Sequence, residues 1–270
     1  MRPAKPREVA SPTNALVKVF RGALADGTTR QGWLAIEGQF LVEEALKAAP
    51  AVKTHSVLVA IGAVGKFAAL LGRLPADAEI TQVPDRLFER LAQTQAPQGI
   101  AALVELPAYQ LEPLAAARDA LLLVACRVQD PGNLGTMMRS ALAFSASALL
   151  TLRETVSPYN PKAVRSSAGA IFRLPLVCDL DPNEFLPSLS RRVRIVAADR
   201  HSPSSLWAAD LTGPLAILVG REASGLPDEI ARYASQLLSI PIREEVNSLN
   251  AATAASIFLY EGARQRGFRY

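Results

Sequence analysis

The stretch Ala120-Leu121-Leu122-Leu123-Val124-Ala125-Cys126, running into Arg127-Val128-Gln129-Asp130-Pro131-Gly132-Asn133-Leu134-Gly135, decides the fold. A short apolar run without polar alternation reads as a strand buried on both faces, the pattern of a parallel sheet covered by helices. The Asp-Pro-Gly that follows is turn chemistry, and the apolar spacing after it predicts a helix over 134–144. Outward from there the same alternation repeats, with strands expected at 148–152, 172–177, 194–198, 215–219 and 236–241. Helices are expected at 162–167, 183–190, 227–234 and 249–266. The result is an α/β domain with a mostly parallel sheet. Such sheets bind ligands beyond the carboxyl ends of their strands, where the loops after Cys126, Val219 and Ile240 would gather.

The residues before this domain alternate as well. After a loose head, Asn14 is placed to cap a helix whose exposed face carries Lys18 and Arg21. A strand at 33–36 and a helix at 38–49 follow, the latter with Phe40, Leu41, Ala45 and Leu46 inward. Strands at 56–61, 79–83 and 100–106 then enclose helices at 67–71 and 85–92. That is a small α/β layer structure of its own. Residues 107–113 hold two prolines and no period, so the domains are drawn as 1–106, a linker at 107–116, and 117–270.

The chain has 270 residues, 50% hydrophobic and 20% charged, which excludes a disordered chain and a small disulfide scaffold. Lys and Arg exceed Asp and Glu by 29 to 25, a surplus that permits an anionic partner without demanding one. Cys126 and Cys178 each lie in an apolar run and read as buried thiols in a reducing compartment, with no metal site. Charged residues interrupt every apolar stretch well short of the roughly 18 residues a membrane span needs. The basic head has no apolar segment behind it, so a cytoplasmic protein is expected.

Three loops stand out. Asp130 to Gly135 leads into a helix presenting Arg139, and its glycines and free amides either hold an anion or form an ordinary strand-to-helix turn. Gly220-Arg221-Glu222-Ala223-Ser224-Gly225-Leu226 leaves a strand with a charged pair, so Glu222 is either a functional carboxylate or the partner of Arg221. Ile240-Pro241, then Ser248-Leu249-Asn250, precedes the last helix, and Ser248 or Asn250 is either a helix cap or part of a site.

Taken together these loops resemble the three motifs of the SpoU branch of the SPOUT superfamily, RNA 2′-O-ribose methyltransferases that use S-adenosylmethionine. The first is matched by Asn133, Gly135 and Arg139, the second by Gly220, Glu222, Gly225 and Leu226, and the third by Ile240-Pro241 with Ser248-Leu249-Asn250. Pro158 to Lys162, with Arg165, Ser167, Gly169 and Phe172, is similar to an intermediate family segment. Upstream, Ile36-Glu37-Gly38, Leu41 to Ala45 and Ala96 to Ile100 look like the ribosomal-protein-like substrate-binding domain often fused before the catalytic one. The resemblance implies a deep trefoil knot in the C-terminal domain and a homodimer packed through it. It implies S-adenosylmethionine as cofactor, held against Gly220, Ile240 and Leu249, and Arg139, Asn133, Glu222, Ser248 and Asn250 as the catalytic group.

The same resemblance makes structured RNA the partner, ribosomal RNA in preference to transfer RNA, with Lys18, Arg21, Arg30, Lys162 and Arg165 as its contacts. His55 and His201 fall outside the motifs, which leaves the hydroxyl proton without an obvious base. Family usage gives that role to Arg139. An arginine with a solution pKa above about 12 instead suits orientation of ribose phosphate and stabilisation of alkoxide charge. Arg221 and Ala223 depart from the family's second motif, where a small polar residue and a glycine are usual. A non-catalytic RNA-binding or ribosome-assembly relative is therefore the competing reading, and Arg221 is open to a further role as a phosphate contact.

Overall fold

The computed structural model describes residues 6–221 and 225–268, which form two compact units. The first unit comprises β1 (Arg7–Glu8), α1 (Ala15–Asp26), β2 (Leu34–Glu37), α2 (Gln39–Lys47), β3 (Lys53–Ala60), α3 (Ala68–Leu71), β4 (Glu79–Val83), α4 (Asp85–Leu91) and β5 (Ile100–Glu105). Its sheet runs in the order β1-β4-β3-β5-β2. β1, β4 and β3 pair in parallel, whereas β5 is antiparallel to both β3 and β2.

Asn14 caps α1, its side chain accepting from the Leu16 N–H at 2.9 Å. Val17, Phe20 and Leu24 of that helix pack with Leu58 of β3, Phe88 of α4 and Leu103 of β5. Three details differ from the sequence expectation. The head is tied down at Arg7–Glu8, because even two residues of backbone complete an edge ladder that leaves no period in sequence. β3 begins at Lys53, with a register shift between Thr54 and Ser56. Phe40, expected inward, is 53% exposed: α2 buries Leu41, Val42 and Ala45, and a nine-residue helix has one apolar stripe to give.

The second unit comprises α5 (Leu111–Ala116), β6 (Leu121–Ala125), α6 (Pro131–Ala143), β7 (Ala148–Leu152), α7 (Pro161–Ser166), β8 (Leu176–Leu180), α8 (Pro182–Leu189), β9 (Arg194–Ala198), β10 (Leu215–Val219), α9 (Asp228–Ala231), β11 (Gln236–Leu238) and α10 (Ala251–Gln265). Most of α7 is the exception: Tyr159–Arg165 clusters with the first unit. The sheet runs β11-β9-β10-β6-β7-β8 with every pair parallel. β6, β7 and β10 are buried along their whole length, as continuous apolar strands in a covered parallel sheet must be. One core cluster joins Leu122, Val124, Leu150, Leu186, Ile195 and Leu218.

Here too some bounds move. The strand expected at 172–177 is Leu176–Leu180, preceded by a 3-10 turn at Ala170–Phe172. Pro175 has no N–H to give a ladder, and its carbonyl accepts from Leu149 just where pairing begins. β11 stops at Leu238 and α9 spans only Asp228–Ala231, both shorter than the apolar patterns suggest. The stretch 107–116 contains α5, which buries Ala115. Cys126 is buried, but Cys178, expected inside, is only half-buried because β8 lies at the sheet edge; neither is in a disulfide. No helix among the described residues is long and apolar enough to cross a membrane.

Candidate active site

β6 and β10 are neighbours, yet the chain leaves β6 toward β7 on one side and leaves β10 for β11 on the other. Adjacent strands whose connections diverge open a crevice at their carboxyl ends. The three loops singled out in sequence emerge at this end of the sheet, after β6, β10 and β11.

The loop after β6 is strapped to the loop after β7. The Arg127 N–H donates to the Thr155 hydroxyl at 3.0 Å, which donates in turn to the Ala125 carbonyl at 3.2 Å. Gln129 reaches the Glu154 carbonyl at 2.5 Å. α6 begins a turn earlier than its apolar spacing suggests, because Asp130 caps it through the Asn133 N–H at 2.9 Å with Pro131 in the first turn. Beside this loop, burial pushes the Cys126 thiol up to about 11, so it stays protonated and unreactive at neutral pH.

The loop after β10 closes on itself. Arg221 and Gly225 exchange two backbone hydrogen bonds, 3.2 and 3.0 Å, with Gly225 at φ +64°. Gly220 sits directly beneath: a Cβ there would lie 2.4 Å from the Gly225 carbonyl oxygen. Only a residue without a side chain permits that approach. Glu222 and Ala223, singled out in sequence, lie outside the described residues.

The loop after β11 is held by Ser239, whose N–H donates to the Ser204 carbonyl and whose carbonyl accepts from Leu206, each at 2.8 Å. Asn250 caps α10, its Oδ1 accepting from the Ala252 and Thr253 N–H groups at 2.9 and 3.2 Å. Its other end donates to Asn133 Oδ1 at 2.8 Å, so one side chain both starts the last helix and joins the third loop to the first.

The loops after β10 and β11, with the end of β9, line a cavity of about 340 Å³, and the loop after β6 does not reach it. Gly220, Ile240, Ser248 and Leu249 all line it, over a floor that includes Leu238 and Phe258. Asn133 and Asn250 meet at 2.8 Å but do not line it, and neither does Arg139, which is exposed on α6. Lys18, Arg21, Arg30, Lys162 and Arg165 are exposed and belong to the first unit. Also in that unit, the buried Glu37 accepts from the Gln93 N–H at 2.7 Å and from the Thr94 hydroxyl. Gln98 accepts from the Gln39 N–H at 2.8 Å and the Gly38 N–H donates to the Ile100 carbonyl at 2.9 Å, so the upstream segments at 36–38 and 96–100 marked in sequence converge.

Sequence reasoning missed Asp199, Arg200 and His201, which line the cavity from the end of β9. His201 therefore has a place at the site that its distance from the motifs hid. The signal was strand order, since β9 enters only because it is the neighbour of β10.

The SpoU rRNA Methylase family matches residues 120–260, and the MRM3-like substrate binding domain matches residues 28–102. The chain is 34% identical over 75% of its length, and 73% of the relative's, to a 23S rRNA (uridine(2479)-2′-O)-methyltransferase of Streptomyces viridochromogenes. It is 32% identical to a 23S rRNA (guanosine(2553)-2′-O)-methyltransferase of Bacillus subtilis, covering 86% of this chain and 89% of that one. Among solved structures, the SpoU methyltransferase AviRb of Streptomyces viridochromogenes in complex with the cofactor AdoMet superposes with a TM-score of 0.84 at 30% identity, over 94% of this chain and 98% of the other.

Proposed function

The chain belongs to the SpoU rRNA Methylase family, and from that premise we propose that it transfers a methyl group from S-adenosylmethionine to a ribose 2′-hydroxyl of ribosomal RNA. The observation that carries this reading is the convergence of Gly220, Ile240, Ser248 and Leu249 on one cavity beyond the carboxyl ends of β9, β10 and β11.

The cavity fits the cofactor on its own features. About 340 Å³ falls within the roughly 300–1,000 Å³ range of small-molecule sites. Gly220 leaves backbone exposed for close approach, and Asp199 and Asp228 on the lining suit a ligand bearing ammonium and sulfonium charges. S-adenosylmethionine supplies an electrophilic methyl carbon on a sulfonium. The chain's task is alignment: oxygen, carbon and sulfur must lie in line, and correct positioning can supply several kcal/mol.

Within that reading Gly220, Ile240 and Leu249 hold the cofactor through backbone and apolar contacts. Asn250, Asn133, Ser248 and Glu222 order the loops around the reacting ribose. Arg139 orients the ribose phosphate and stabilises charge developing on the 2′-oxygen while the proton passes to water. Its position off the cavity lining, together with exposed Leu142 on α6 and Tyr260 on α10, supports a homodimer packed through this unit. The family resemblance and the strand order, in which β10 lies between β6 and the earlier β9, support a knotted threading of the C-terminal segment. The first unit grips structured RNA, with Lys18, Arg21, Arg30, Lys162 and Arg165 as exposed cations, and the protein works in the cytoplasm. The two ribosomal RNA methyltransferases compared above are named for a uridine and a guanosine, so we assign the ribose chemistry, and not the choice of base, to the loops of the site.

The test is transfer of labelled methyl from S-adenosylmethionine to size-separated cellular RNA lacking the modification, for wild type and Arg139→Ala, followed by digestion to nucleosides. Label in 2′-O-methylated nucleosides of ribosomal RNA that vanishes in the variant is the expected result. Absence of label together with absence of cofactor binding would hand the chain to the RNA-binding alternative.

A further inference from the structure

Four arginines of the second unit pair with carboxylates. Arg127 pairs with Glu154, Arg153 with Asp181, Arg194 with Asp210 and Arg264 with Glu261. Among the described residues Arg200 and Arg221 are unpaired, as are Arg118, Arg139, Arg192 and Arg243, but of these six they alone line the cavity. Both are exposed, and among the described residues neither forms an ion pair or a side-chain hydrogen bond.

Their placement follows from the sheet. β9 and β10 pair in parallel, with Leu218 opposite Ala197. Arg200 and Arg221 each lie three residues beyond that pair, on neighbouring chains about 4.8 Å apart where the ladder runs. Arg221 is fixed at the level of its backbone by the two hydrogen bonds to Gly225. Arg200 follows Asp199, whose carboxylate is engaged by the His201 N–H at 2.9 Å. Two guanidiniums thus lie on the lining of one cavity, on the segments that leave neighbouring strands, and an anion bound there would meet both charges. Paired guanidinium forks suit the oxygens of a phosphodiester.

We propose that Arg200 and Arg221 form a clamp that holds a backbone phosphate of the substrate RNA beside the ribose being methylated. This rests on the reading of the cavity as a cofactor site for RNA methylation, and it makes the two arginines positioning residues. The carboxylate of the cofactor is the other anion that could meet them, and the experiment separates the two.

Arg200→Gln, Arg221→Gln, the double variant and the double Lys variant are compared with wild type in two assays. One follows binding of ribosomal RNA transcribed in vitro across a salt series, and the other measures binding of S-adenosylmethionine by calorimetry. Loss of each arginine is expected to weaken RNA binding about tenfold at low salt and to reduce the slope of log K against log salt by about 0.7–1. The Lys variant should keep the slope, because the charge remains, while binding RNA more weakly at every salt concentration through loss of the fork. Cofactor affinity should stay within twofold. A tenfold loss of cofactor affinity with an unchanged RNA slope would overturn the proposal in favour of the carboxylate. No change in either assay would make the two arginines solvated charges and equally refute it. RNA binding is measured apart from turnover, so a wild-type protein that shows the slope effect but transfers no methyl would refute the methylation reading and leave the clamp standing.

Discussion

Gly220→Ala isolates the central geometric claim, that the cofactor cavity depends on two backbone segments closer than any side chain allows. The added Cβ would stand 2.4 Å from the Gly225 carbonyl oxygen, 2.6 Å from its carbonyl carbon and 2.9 Å from the Leu226 nitrogen. All three are backbone atoms of the loop itself, so no flexible side chain can swing aside, and the loop must retreat by about 1 Å. That retreat breaks the Arg221–Gly225 pair of hydrogen bonds, each worth about 0.5–1.5 kcal/mol net. A loss of about 1–3 kcal/mol follows, and at about 2–4 °C per kcal/mol for a domain of this size the thermal midpoint should fall by several degrees. Cofactor affinity should fall as well, because the displaced backbone no longer meets the ligand where Gly220 leaves room for it. Calorimetric titration with S-adenosylmethionine and a thermal melt are the two measurements. Gly225→Ala is the control: nothing lies within 4 Å of its Cβ, and its φ of +64° costs only about 1 kcal/mol. A Gly220→Ala protein that binds the cofactor as wild type would refute the reasoning, since the loop would then not be pinned where it is drawn.

Three other outcomes are expected. Arg139→Lys should lower the methyl-transfer rate about 100-fold or more without changing cofactor affinity, because a point charge cannot reproduce the guanidinium fork; full activity in single-turnover assays would show that charge alone suffices. Asn250→Ala should lower stability by about 1 kcal/mol through loss of the α10 cap, whereas Asn250→Asp should keep the cap and lose only the donation to Asn133. Melting curves and turnover therefore separate in the Asp variant, with activity falling and the midpoint holding. For Cys126 the folded pKa is raised from 9.0 to about 11 by burial, so the folded state retains a proton that the unfolded state loses. Its contribution is fully present below pH 9 and is lost as pH rises from 9 to 11. Denaturant titrations should show that decline abolished in Cys126→Ala, and iodoacetamide at pH 8 should label the half-buried Cys178 well before Cys126.

Much of the architecture was legible because local rules and global packing agree. Leu121–Ala125, Ala148–Leu152, Arg194–Ala198 and Leu215–Val219 are strands buried in a covered parallel sheet, and such strands announce themselves as short apolar runs. Asn14 and Asn250 act as the helix caps their positions suggest. The errors fall where one residue's backbone chemistry overrides the pattern, as at Pro175, or where an edge ladder is too short to have a pattern, as at Arg7–Glu8.

The sequence by itself determined the alternation of strands and helices, the three loops and the residue types they carry, because these depend on periodicity, capping and turn chemistry within a few residues. It could not order the strands. Arg200 and His201 lie outside every motif, and they reach the cavity only because β9 pairs with β10. Asn133 and Asn250 are 117 positions apart and share a hydrogen bond only because α6 and α10 start at the same end of the sheet. The need for glycine at position 220 likewise comes from Gly225 folding back upon it. Each is a contact between segments that local preference does not connect, and the packing of one parallel sheet decided them all.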